Sequence, residues 1–151
     1  FAEATLLHQG YPSTTEEAQF SIQWPLACLL LDGELGPNQI LGPRLTDLQV
    51  RALVDKIKIV LDPEVDQLYR DTKEMDLRMH SAVEITLVDG RVFRSGVIER
   101  GADRHDQNSL TVKFHWLVGH VMEPEPIEQL ARLILDVENM TSVRELIRCL
   151  Q

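Results

Sequence analysis

Apolar and polar positions change period several times along the chain, and each change marks an element. Phe1-Ala2-Glu3-Ala4-Thr5-Leu6-Leu7 reads as a strand with imperfect alternation. Gly10, Pro12 and Ser13 then signal a loop. In Thr14-Thr15-Glu16-Glu17 a hydroxyl residue stands three positions before a glutamate, the form of a capping box. A helix follows through Ala18, Ile22 and Leu26, with Pro25 inside its pattern. Proline brings no N–H, so it kinks this helix or begins a second one. The helix stops at Asp32-Gly33, where glycine takes the left-handed cap.

Gly36, Pro37, Gly42 and Pro43 punctuate a connector. Thr46 or Asp47 caps the next helix, whose apolar positions are Val50, Leu53 and Val54. The period then drops to two. Lys56-Ile57-Lys58-Ile59-Val60-Leu61 sets Ile57, Ile59 and Leu61 on one face, a half-buried strand that Asp62-Pro63 ends. Residues 64–80 are charged and weakly patterned, mostly loop, with room for one helical turn at Val65, Leu68 and Tyr69. Val83, Ile85 and Leu87 alternate with polar residues, and Val92, Phe93, Val97 and Ile98 follow. Asp89-Gly90 between these runs predicts a hairpin with both residues at its centre, and Ser95-Gly96 predicts a bulge.

Residues 100–108 form a polar loop, and Leu110 to Val118 form a helix ended by Gly119. A further helix from Ile127 carries Leu130, Ile134 and Val137 on one face. Ser142 and Glu145 make a second capping box, before a last helix that buries Val143, Leu146, Ile147 and Leu150. Four strands come early and helices come last, without strand–helix alternation. The expected class is α+β, a mainly antiparallel four-stranded sheet with helices, followed by C-terminal helices. The stripes beyond residue 120 have little sheet to cover.

Charge narrows the partners. Acidic residues outnumber basic ones by 24 to 15, a net −9, and such a surface repels phosphate backbones, so no nucleic acid is expected. The longest apolar run, Leu26 to Leu31, falls far short of the ~20 residues of a membrane span, so no membrane is expected. Cys28 and Cys149 both lie in apolar helical patterns and read as buried, reduced thiols of a cytoplasmic protein. No signal peptide is expected from these residues. The sequence opens at Phe1 without an initiator methionine and enters a strand at once, so it reads as a piece of a longer chain.

The residues supply no complete catalytic set. His8, His80, His105, His115 and His120 lack the three- or four-residue spacing of a helical metal pair, so no metal is expected. Gly33 and Gly36 match neither a dinucleotide fingerprint nor a P-loop, and Ser95 is not in a nucleophile elbow. Glu16/Glu17 and Glu123/Glu125 sit at helix starts, where acids complement the dipole. Arg100, Arg104 and Lys113 flank the polar loop, either to meet an anionic substrate or as solvated charges.

One stretch is more specific. Pro12-Ser13-Thr14-Thr15-Glu16-Glu17-Ala18-Gln19-Phe20-Ser21-Ile22-Gln23-Trp24, running on to Leu30-Leu31-Asp32-Gly33, resembles the C-terminal half of the MmgE/PrpD family. Further matches follow in order: Asp47 and Val50, Lys56-Ile57, Val60 and Asp62-Pro63-Glu64, Val83, Thr86-Leu87, Asp89-Gly90-Arg91, Gly101, Asn108 and Lys113-Phe114. The family includes 2-methylcitrate dehydratase, cis-aconitate decarboxylase and related epimerases. The resemblance implies an α+β lid over residues 1–118. It also implies helices over 119–151 that pack on a helical domain outside this sequence. It further implies a lyase or isomerase acting on a small polycarboxylate, with no cofactor, in a homo-oligomer. The family's acid/base residues lie mostly upstream of the matched region, so no complete catalytic set is expected in this chain. Trp24, Ser21 and Gln19 are the substrate-cleft candidates. Trp24 stands where cis-aconitate decarboxylase has an active-site tyrosine, which exchanges a phenolic hydroxyl for an indole N–H. By its own chemistry Trp24 reads equally as a core aromatic. A stand-alone domain that binds a ligand or another protein is the alternative.

Overall fold

Caps and prolines set where the helices of this chain begin. In the computed structural model the described residues are Leu7, 10–71, 80–99 and 106–150. The strand expected over 1–7 lies outside them except for Leu7. The chain forms two compact units, Phe1–Arg104 and His105–Gln151.

In the first unit, α1 is Thr15–Gln19, and Thr14 Oγ1 accepts from the Glu17 N–H at 3.2 Å. The Glu17 carboxylate answers one residue further back than a capping box requires. It accepts from the Ser13 N–H at 2.6 Å. The chain breaks at Phe20–Ile22 and restarts as α2, Gln23–Asp32, so Pro25 belongs to the first turn of a second helix rather than to a kink. Its missing donor costs nothing there, because first-turn N–H groups have no intrahelical acceptor. Gly33, at φ 77°, closes α2 and returns its N–H to Leu29 O at 2.9 Å. Pro37–Ile40 forms α3, Gly42–Thr46 a 3-10 turn and Leu48–Val54 α4. Asp47 caps α4, its Oδ1 accepting from Gln49 N at 2.7 Å and Val50 N at 3.3 Å.

These short helices enclose one core of Ala18, Trp24, Ala27, Cys28, Leu45, Val50 and Val54, flanked by Ile40, Leu53 and Ile57. The period-two segment after α4 keeps part of its alternation as burial. Ile57 and Ile59 are half-buried and Lys58 and Val60 are exposed, but Leu61, expected on the Ile57 face, is exposed as well. The segment is not a strand, however, and the Ile57 carbonyl is taken by Gln23 Nε2 at 2.7 Å. The first part of the segment expected to be mostly loop is helical, with α5 spanning Pro63–Asp71, whereas 72–79 lie outside the described residues. Asp62 is its cap, accepting from Glu64 N at 2.9 Å and Val65 N at 3.3 Å. Asp62-Pro63 is thus a helix start, with proline at the first helical position and Glu64 and Asp66 in the first turn.

Four short strands follow: β1 His80–Ser81, β2 Glu84–Thr86, β3 Val92–Arg94 and β4 Ile98–Glu99. They pair as two two-stranded antiparallel sheets, β1 with β4 and β2 with β3. The α+β class therefore holds. A four-stranded sheet does not form among the described residues: 57–61 joins no ladder there, and Ile57 packs against the helical core. The hairpin turn lies one residue earlier than expected. Gly90 N donates to Leu87 O at 3.0 Å, which makes Val88 and Asp89 the central residues. Gly90 follows at φ 85°, and Leu87 N donates to Arg91 O at 2.9 Å. A three-residue loop with glycine in the left-handed position has this form.

The expected bulge is present. Register runs Glu84↔Arg94 in the inner pair and Ser81↔Ile98 in the outer pair, so the second strand carries one extra residue. Gly96 takes φ 69° there. The Ser95 hydroxyl accepts from Val83 N at 2.9 Å and donates to Gly96 O at 2.7 Å, stitching the bulge shut.

In the second unit, α6 is Gln107–Val118, capped by Asp106 Oδ1 on Ser109 N at 2.7 Å. Helix α7, Pro124–Leu135, begins at its proline and buries Ile127, Leu130 and Ala131. A 3-10 turn, Val137–Asn139, leads towards α8, Arg144–Arg148. Ser142 Oγ accepts from Arg144 N at 3.3 Å, one residue short of the Glu145 N–H that a capping box engages. Of the apolar stripe, Leu130 is buried, whereas Ile134, Val137, Val143, Ile147 and Leu150 are about half exposed. Helix α6 packs with α7 inside the second unit.

Candidate functional site

The three cleft candidates meet at the break between α1 and α2, and they play different parts there. Trp24 has no exposed surface. Its backbone N–H is accepted by Ser21 Oγ at 3.1 Å, and its indole Nε1–H donates to Gln39 O at 3.2 Å. The ring is therefore a core anchor within this chain, closed to solvent. Ser21 is buried, its hydroxyl occupied in starting α2. Gln19, at the end of α1, is exposed, as is the neighbouring Phe20. Of the three, Gln19 alone presents its side chain to solvent.

A polar cluster that sequence reasoning passed over backs this corner. The Gln39 side chain is buried, accepts from Gly36 N at 2.9 Å and donates to Asp32 Oδ2 at 3.0 Å. The Gln39 backbone carbonyl takes both the Trp24 indole and the Cys28 thiol, the latter at 3.4 Å. Arg44 bridges Asp32 at 2.6 Å and Asp47 at 2.7 Å. Two backbone N–H groups, from Gln49 and Val50, and then Arg44 hold the Asp47 carboxyl below the usual aspartate range. Burial pushes the Cys28 thiol up. Tyr11 donates its hydroxyl to Asp55 Oδ1 at 2.6 Å, which raises its proton affinity, and Arg51 stacks 5.1 Å over its ring. Every one of these groups is engaged in holding the fold. The signal for the cluster was present in sequence as Asp32, Gln39, Arg44 and Asp47 at the ends of short helices.

The histidines are spread out. His80 Nε2 lies 3.7 Å from Glu99 Oε2 across the β1–β4 pair. His115 places Nδ1 2.8 Å from Thr111 O and Nε2 3.0 Å from Glu128 Oε1, linking α6 to α7. His120 Nδ1 lies 2.8 Å from Trp116 O. Among the described residues no group of three or more His, Cys, Asp or Glu side chains could hold a metal ion. Lys113 is exposed on α6, and His8, Arg100, Arg104 and His105 lie outside the described residues. Neither cysteine is in a disulfide; Cys28 is buried, but Cys149 is only half-buried beside the groove lined by Pro126, Gln129, Glu145 and Arg148. Among the described residues no helix is long and apolar enough to cross a membrane.

The family model for the MmgE/PrpD C-terminal domain matches residues 2–139. The chain belongs to the MmgE/PrpD family. The match takes in both compact units up to the 3-10 turn after α7, and it identifies the region as the family's C-terminal part. No curated protein matches the sequence. Within this MmgE/PrpD domain, the corner that joins α1 to α2 carries all three cleft candidates, and the Trp24–Gln39 pair fixes its position.

Proposed function

We propose that this domain is the lid-side half of an MmgE/PrpD-like lyase or isomerase that acts on a small polycarboxylate. The observation that carries the reading is the match of the C-terminal domain model over residues 2–139. The reaction class is proton abstraction next to a carboxylate, followed by elimination, decarboxylation or reprotonation. In this reading the acid/base groups come from the family's upstream region, and the domain closes over the substrate and excludes water. The exposed Gln19 contributes a contact to the substrate. Ser21 and the buried Trp24 hold the corner on which Gln19 stands. The whole protein works in the cytoplasm as a homo-oligomer, a state that light scattering on the full-length protein reads directly.

The test compares the full-length gene product with residues 1–151 alone, on 2-methylcitrate, cis-aconitate and related acids. Deuterium incorporation and product formation are both followed by NMR. The full-length protein is expected to turn over one of these acids, and the isolated chain none. Turnover by the isolated chain would place the catalytic set inside it and overturn the division of labour. A full-length protein that is folded and inert on all of them would favour a stand-alone binding domain.

A further inference from the structure

We draw no further inference here: the strongest candidate, the apolar groove of about 450 Å³ between α6 and α7 lined by Leu110, Phe114, Ile134 and Leu135, is an uncovered helical face, and nothing in the structure shows what covers it.

Discussion

Replacing Trp24 by phenylalanine separates a core role from a cleft role. The ring is fully buried, so every atom removed leaves a void or forces a collapse. Roughly three ring atoms are lost, at about 0.8 kcal/mol for each methylene-sized group, or about 2 kcal/mol. The indole N–H bond to Gln39 O also goes, worth about 1 kcal/mol net. The larger penalty for an orphaned carbonyl does not apply, because the Cys28 thiol still reaches Gln39 O at 3.4 Å. The sum, about 3 kcal/mol, is a large share of the ~5–15 kcal/mol that holds a domain together. Urea unfolding followed by far-ultraviolet circular dichroism measures it, with Trp116→Phe as the control on a partly exposed ring. In the full-length protein, activity per folded molecule should stay level while stability falls. A loss below about 1 kcal/mol would refute the packing argument. A fall in turnover beyond the lost folded fraction would put the ring in the cleft.

Three further outcomes are expected. Gly90→Val forces a β-branched residue to φ 85°, where the space around the new side chain is open, so the cost is backbone strain alone, roughly 1–3 kcal/mol. Gly90→Asn should lose visibly less in the same thermal melt, and equal losses would contradict the turn geometry. The Asp47 carboxyl titrates below its unfolded value, so its contribution is present above the ordinary aspartate pKa and is lost as pH falls through the lower folded value. Asp47→Asn keeps a capping side chain but should flatten the fall in urea midpoint between about pH 6 and pH 3; an unchanged slope would refute the assignment. Cys28, buried with a raised thiol pKa, should react with a thiol reagent only on unfolding, whereas half-buried Cys149 reacts in the native protein. Equal native rates would show that the core around Cys28 opens readily.

Signals that depend on a few adjacent residues were legible in the sequence. The Thr14 and Asp47 caps, the Gly33 stop, the hairpin and the Gly96 bulge all follow from local chemistry. Asp62-Pro63 was read in the wrong direction. The pair ends one segment and starts the next, and the acids at 64 and 66 were the sign that a helix follows. The 57–61 alternation reported burial at Ile57 and Ile59, though not at the exposed Leu61, and did not report pairing, because a period of two does not record whether a neighbouring strand exists. The hairpin centre slipped by one residue because glycine serves equally as a central turn residue and as the position just after one. The site was less legible than the fold. Residue type left Trp24 open between core and cleft, since its enclosure depends on Gln39, fifteen positions beyond it, arriving to cap the indole.

The bulge at Gly96 absorbs the one residue by which the hairpin's second strand exceeds its first. Beyond it, Glu99 stands opposite His80. Removing Gly96 would leave a strand of unbroken alternation, a more regular object in isolation. It would leave the partners beyond it unchanged, because the deleted residue is the surplus one: Ile98 would still face Ser81 and Glu99 would still face His80. The bulge therefore works as a slot that takes up one residue without disturbing the pairing on either side of it. A one-residue insertion on the first strand, between Ser81 and Val83, would use up the surplus in the same way, so this arm should tolerate a single length change at the bulge on either strand.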